Sequence, residues 1–123
     1  MERFKSYLVA VYGSLRHGMH NHRLIEHCEL VGIEWIKGDW EMISLGGFPG
    51  IIESDGKEIL IELYKVTDEI TAKRLDRLEG YPDFYNKKII DTVYGPAEIY
   101  FLDKHKYNDY PTVESGDWFN YKK

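Results

Sequence analysis

A chain of 123 residues, 43% hydrophobic and 30% charged, can bury a core without staples and is too apolar to stay disordered. Its one cysteine, Cys28, excludes an intrachain disulfide, and no run approaches the ~18 apolar residues of a membrane span. The formal net charge is −5 and the 16 basic residues form no stripe, which argues against nucleic acid as a partner. These features lead us to expect one domain, residues 1–123, in a cytoplasmic setting away from membranes. They leave the oligomeric state open.

In chain order, Tyr7 to Tyr12 is an unbroken apolar run. It is short for a signal peptide and no Ala-x-Ala-like site follows, so it reads as a strand buried on both faces. Gly13-Ser14 ends it, and Arg16 to Asn21 reads as loop. A short helix is predicted over about His22 to Glu29, with Leu24, Ile25 and Cys28 inward. Val31 to Leu45 is predicted extended, with bulges or bends at Gly32 and Gly38. Gly46 to Gly50 reads as a turn, and Asp55-Gly56 as a hairpin signal. Glu58 to Val66 alternates: Ile59, Ile61 and Leu63 on one face, Leu60, Glu62, Tyr64 and Val66 on the other.

Thr67 is the predicted N-cap of a helix running to Glu79, with Ile70, Leu75 and Leu78 on its apolar arc. At ~100° per residue Glu79 falls at the margin of that arc. Gly80 can cap the end and Pro82 blocks continuation. Two strands, Asn86 to Tyr94 and Ala97 to Leu102, are predicted around Gly95-Pro96. The aromatic tail from about residue 104 should wrap over the body and could cover a pocket. The order is α+β. The many glycines and strands favour a small, mixed, strongly curved sheet or barrel with flanking helices.

Two segments can carry chemistry. A strand ending at Tyr12-Gly13-Ser14-Leu15 leaves backbone N–H groups that no strand partner need satisfy. They could form an anion nest or an ordinary turn, and the pattern leaves both open. Glu79 ends a helix before Gly80-Tyr81-Pro82-Asp83-Phe84-Tyr85. Burial among aromatics and the negative helix end would raise its pKa toward a value useful in proton transfer; the plain alternative is a solvent-facing glutamate. His17, His20, His22 and His27 have no strong zinc spacing, so no metal is expected. Cys28 reads as a small buried hydrophobe. Ser14 lacks a Gly-x-Ser-x-Gly elbow.

These segments resemble a known family. Val11-Tyr12-Gly13-Ser14-Leu15-Arg16-x-Gly18 with Asn21-His22 is similar to the start of gamma-glutamyl cyclotransferase-like proteins. Leu75-Asp76-Arg77-Leu78-Glu79-Gly80-Tyr81-Pro82-x-Phe84-Tyr85 resembles their second block. Tyr110-Pro111 with Ser115-Gly116-Asp117-Trp118 is a weaker third. The pattern looks most like the gamma-glutamylamine cyclotransferase branch, which includes the plant AIG2-like proteins. The resemblance implies an enzyme that closes a gamma-glutamyl amine or amino acid to 5-oxoproline without cofactor or metal. It implies that Glu79 is the catalytic general base and acid. It also implies that Tyr12, Gly13, Ser14 and Leu15 bind the gamma-glutamyl substrate, with Tyr85 and Tyr100 as further pocket hydroxyls. The alternative is a non-catalytic module of the same fold, binding a small metabolite or a protein.

Overall fold

The computed structural model describes residues 4–121. Six strands form one mixed sheet: β1 (Tyr7–Val11), β2 (Glu29–Ser44), β3 (Pro49–Glu53), β4 (Lys57–Val66), β5 (Asn86–Thr92) and β6 (Gly95–Phe101). Helix α1 spans Glu69–Glu79, and the short helices α2 (Lys104–Tyr107) and α3 (Trp118–Tyr121) lie in the tail. The sheet order is β3-β2-β4-β1-β6-β5, so β3 and β5 end it. The mixed sheet and flanking helices match the sequence reading, whereas the strand order does not close on itself as a barrel would. One backbone bond, Leu102 N–H to Ile51 O at 2.8 Å, ties the chain after β6 to β3.

Strand β1 occupies the centre, antiparallel to β4 and parallel to β6. Its unbroken apolar composition fits that place, because Ala10 joins the core on one face while Val9 and Val11 join the core on the other. The alternation of β4 resolves as read. Ile59, Ile61 and Leu63 pack on the face closed by Trp118, and Tyr64 and Val66 on the face covered by α1. Strand β6 divides likewise, with Ala97 and Ile99 on one side and Tyr100 and Leu102 on the other.

The long strand β2 overturns the hairpin read at Asp55-Gly56. Its first part pairs with β4 and its last part with β3, so β3 and β4 never pair with each other. The register of β2 shifts between Leu30 and Gly32 and again between Lys37 and Trp40, where the bulges were expected. Asp55-Gly56 lies against the second bend, with Ser54 N–H on Asp39 O and Gly56 N–H on Gly38 O. A local turn signal reports a reversal and not the partner across which the chain reverses.

Other local readings need adjustment. Pro49 and Gly50 begin β3, leaving the turn to residues before them. The helix expected over His22 to Glu29 is a single 3-10 turn, His22–Leu24, although Ile25 is fully buried; Cys28 is half-buried, not interior. The N-cap of α1 is Asp68, whose carboxylate accepts from Thr71 N–H at 2.9 Å, and not Thr67. Ile70 and Leu78 point outward, 64% and 41% exposed, so the buried stripe is Thr71 and Leu75. One further step of four residues brings that stripe to Glu79, which places it on the inner face and not at the margin. The β5–β6 turn falls at Val93-Tyr94, before Gly95-Pro96.

Candidate functional site

The strand end, the helix end and the β2–β3 turn meet around a cavity of about 310 Å³. Tyr12, Gly13, Ser14, Leu15, Glu79, Tyr85 and Tyr100 all line it. Every site residue singled out in the sequence therefore reaches one space, from segments that lie far apart along the chain. Ala10, Asn21, Pro49 and Phe84 complete much of the wall.

The glycine loop is held from three directions. Asn21 donates from its backbone N–H to Ser14 O at 2.9 Å and from Nδ2 to Ser14 Oγ at 2.8 Å. The Ser14 hydroxyl thus acts as acceptor there and keeps its own hydrogen. His22 Nδ1 lies 2.9 Å from Leu15 O. Across the cavity, Pro49 presses on Gly13: a Cβ there would stand 2.8 Å from Pro49 Cγ, so close approach requires glycine. The loop's acceptors are thereby occupied, while the N–H groups of Gly13, Ser14 and Leu15 donate to no acceptor among the described residues.

Arg16, next in the chain, is buried and anchors this loop. Its Nε donates to Glu62 Oε2 at 3.1 Å and its Nη1 to Asp117 Oδ1 at 2.8 Å. Glu62 also accepts from His17 N–H and Tyr64 Oη, each at 2.8 Å. Asp117 Oδ2 accepts from Asn120 Nδ2 at 2.8 Å. The first and third sequence blocks are thus physically joined. Glu62 had been read only by its strand face; a buried glutamate amid apolar neighbours was the available signal that it needed a cationic partner.

Glu79 is delivered by the end of α1. Gly80 takes φ 65°, its N–H bonds Arg77 O at 3.2 Å, and Tyr81 N–H bonds Asp76 O at 2.9 Å. That closure stops the helix abruptly after Glu79. Among the described residues no hydrogen-bond or ion-pair partner meets the Glu79 carboxylate. Burial without a compensating partner raises its pKa from 4.5 to about 7.

Three tyrosines line the same space with their hydroxyls already engaged. Tyr12 Oη donates to Tyr100 O at 2.8 Å, Tyr85 Oη to Pro49 O at 2.5 Å, and Tyr100 Oη to Asp76 Oδ1 at 2.6 Å. Burial, first of all, pushes all three phenols well above their usual value, aided at Tyr85 by the nearby Glu79 carboxylate and at Tyr100 by its hydrogen-bonded Asp76. They are neutral walls whose oxygens retain acceptor capacity. The tail does not cover this cavity: no described residue beyond Tyr100 lines it. Its Trp118 instead closes the opposite core.

The histidines disperse. His22 braces the loop, His27 meets Thr71 Oγ1 at 2.9 Å, and among the described residues no group of three metal-ligating side chains converges. No helix among them is long and apolar enough to cross a membrane.

Known proteins carry the same pattern. The family model described as gamma-glutamyl cyclotransferase, AIG2-like, matches residues 9–120. A Vibrio cholerae protein provisionally named gamma-glutamylcyclotransferase is 38% identical over 113 residues, covering 91% of this chain and 95% of its own. The Escherichia coli gamma-glutamylcyclotransferase family protein YtfP is 31% identical over 112 residues, covering 91% of this chain and 96% of its own. The solution structure of YtfP superposes with a TM-score of 0.72 over 94% of this chain and 99% of that one. An uncharacterized Pyrococcus horikoshii protein shares the fold at 24% identity, with a TM-score of 0.77 over 94% of this chain and 92% of its own.

Proposed function

Because the chain belongs to the AIG2-like gamma-glutamyl cyclotransferase family, we propose that its cavity cyclises a gamma-glutamyl amine or gamma-glutamyl amino acid to 5-oxoproline. The observation that carries this reading is the juxtaposition of an unpartnered carboxyl with three unspent backbone donors around one cavity.

The substrate carries its own nucleophile. Its α-amine must fold back onto its γ-carbonyl carbon, so positioning supplies much of the acceleration. The N–H groups of Gly13, Ser14 and Leu15 bind the α-carboxylate or the oxyanion that develops at the γ-carbonyl, and the Ser14 hydroxyl adds a donor. Glu79 as carboxylate removes a proton from the α-ammonium group. The freed amine attacks, and the C–N bond of the five-membered ring forms. As the tetrahedral adduct collapses, Glu79 returns the proton to the departing nitrogen and the original amide C–N bond breaks. The ring nitrogen sheds its second proton to the departing amine, which leaves as an ammonium ion, so charge and protons balance, and no metal, nucleotide or covalent enzyme intermediate enters.

A pKa of about 7 suits both halves of this cycle, since the group must accept and release the same proton near neutral pH. Tyr12, Tyr85 and Tyr100 shape the cavity and offer acceptor oxygens to the substrate. The loop spacing and Asn21-His22 favour the gamma-glutamylamine branch.

The test is incubation with gamma-glutamyl amides, gamma-glutamyl dipeptides and glutathione, with 5-oxoproline read by mass spectrometry, in the parent and in Glu79→Gln. Turnover lost in the variant is expected. If no substrate in a broad panel turns over, or if the variant matches the parent, the cyclisation mechanism is wrong and the cavity is a binding site only.

A further inference from the structure

Asn21 stands where an asparagine ordinarily caps a helix, at the head of the turn His22–Leu24, yet its side chain makes no capping bond there. It turns instead toward the cavity, which it lines together with Ser14 and His20. Both ends of its backbone are fixed. The N–H donates to Ser14 O at 2.9 Å, and the C=O accepts from Leu24 N–H at 3.1 Å. The side chain therefore starts from a set point and reaches back to Ser14, seven residues earlier.

What the amide does there is directional. Its Nδ2 lies 2.8 Å from Ser14 Oγ and 3.3 Å from His20 Nε2. An amide nitrogen donates two hydrogens and accepts none, so both neighbours receive. Ser14 Oγ thus commits a lone pair to Asn21, and no acceptor among the described residues takes the Ser14 hydrogen. The hydroxyl can turn about its Cβ–Oγ bond, but not toward Asn21, where the amide hydrogens already stand. Its own hydrogen is left to the cavity that Ser14 lines.

In the reading above, on which this inference rests, two oxygen-bearing groups of the substrate call for donors. The α-carboxylate carries its charge throughout, which suits the successive N–H groups of Gly13, Ser14 and Leu15. The γ-carbonyl oxygen becomes charged only in the tetrahedral adduct. A donor aimed before that charge appears stabilises it without reorganising, whereas a freely turning hydroxyl must first be oriented.

We propose that Asn21 is a positioning residue: it fixes the direction of the Ser14 hydroxyl, which then donates to the γ-carbonyl oxygen as that oxygen takes up charge. Ser14 is the group that touches the substrate, and Asn21 acts through it. No covalent bond is made or broken at either residue.

The experiment is a double-mutant cycle read as kcat and KM for 5-oxoproline release. Its substrate is whichever of gamma-glutamyl-n-butylamide, gamma-glutamylalanine and glutathione the parent turns over fastest. Asn21→Asp keeps the shape but sets a carboxylate oxygen where the amide nitrogen was, so the Ser14 hydrogen turns away from the cavity. Its kcat should fall on the order of 10²-fold with KM within about threefold, the pattern of a lost transition-state donor. Ser14→Ala should lower kcat by a similar factor. In the Ser14→Ala background Asn21→Asp should have an effect at least about tenfold smaller, because only its added negative charge remains to act. Asn21→Ala frees the hydroxyl without reversing it and should lower kcat about tenfold, again chiefly when Ser14 is present. It decides the matter if thermal melting shows that Asn21→Asp does not fold. Losses that are equal in both backgrounds, or that fall on KM alone, would overturn the inference while leaving cyclisation intact, and Asn21 would be a brace for the loop only. A parent that releases no 5-oxoproline from any of the three substrates would overturn the proposed activity, and this inference with it.

Discussion

Glu62 and Glu79 are the same residue in two enclosed places, and the molecule treats them oppositely. Glu62 is surrounded: Arg16, Tyr64 and the His17 N–H all donate to it, so its geometry is fixed. Glu79 lines a cavity and, among the described residues, meets no donor, so its proton affinity rises to about 7. Saturating a buried carboxylate with donors makes a strut. Withholding them makes a group that can exchange a proton near neutral pH. The two lie on adjoining parts of the structure and are linked through the loop that runs from Gly13 to His17, one end of which forms the cavity while the other is tied to Glu62.

The largest effect should come from removing the proton carrier. Glu79→Gln keeps the size of the side chain and should lower kcat by about 10²- to 10⁴-fold, measured as 5-oxoproline release, with an unchanged circular dichroism spectrum. Equal activity would erase the functional half of the contrast.

Removing the strut should instead cost stability. Arg16→Ala leaves Glu62 and Asp117 buried without their cation, and about 3–5 kcal/mol of unfolding free energy should be lost in urea titrations. A loss below ~1 kcal/mol would show that water reaches the network easily and that the two glutamates are less different than they look.

The two effects separate further with pH. Glu79 binds its proton more tightly in the folded chain than in the unfolded one, so from about pH 4.5 to 7 the folded state holds more protons. Stability therefore falls as pH rises through that window, by at most ~3 kcal/mol for a shift of this size and less where solvent enters the cavity. Glu79→Gln should remove that slope, which makes the variant the more stable protein at pH 8 and no more stable at pH 4. In the parent, kcat/KM should climb with pH and bend near 7, because the carboxylate is the working form.

The smallest effect concerns the tyrosine wall. Tyr85→Phe deletes the bond to Pro49 O and should cost about 1–2 kcal/mol in a melting series, with KM changed less than ~10-fold. A KM change much larger than the stability change would move the Tyr85 hydroxyl from scaffold to substrate contact.

Much of this arrangement was legible in the residues. The alternation of Ile59, Ile61 and Leu63 against Tyr64 and Val66 reported the two faces of β4, since a period of two is a local property of a strand. The loop and Glu79 were legible as a pair only through the family pattern, since periodicity put Glu79 at the arc's edge. That reading counted Ile70 and Leu78 as buried, and both are exposed. What failed was information that lies across the chain. Asp55-Gly56 announces a reversal, but whether β3 meets β4 depends on the length of β2, which takes both as partners. Asp68 and Thr67 are adjacent and both able to cap; tertiary placement chose the first. The partners of Arg16 lie 46 and 101 positions away, where no window of sequence can pair them.

That last separation has a consequence for the order of assembly. The guanidinium of Arg16 gains its first carboxylate when β4 has formed but its second only when residue 117 is in place, near the far end of the chain. Contacts this distant are closed late, because the loop entropy comes due before the bond rewards it. Until Asp117 docks, Arg16 is held by Glu62 alone, although Asn21, His22 and Pro49 already brace the glycine loop. The last anchor of the segment that follows the glycine loop therefore comes from a residue that does not line the cavity.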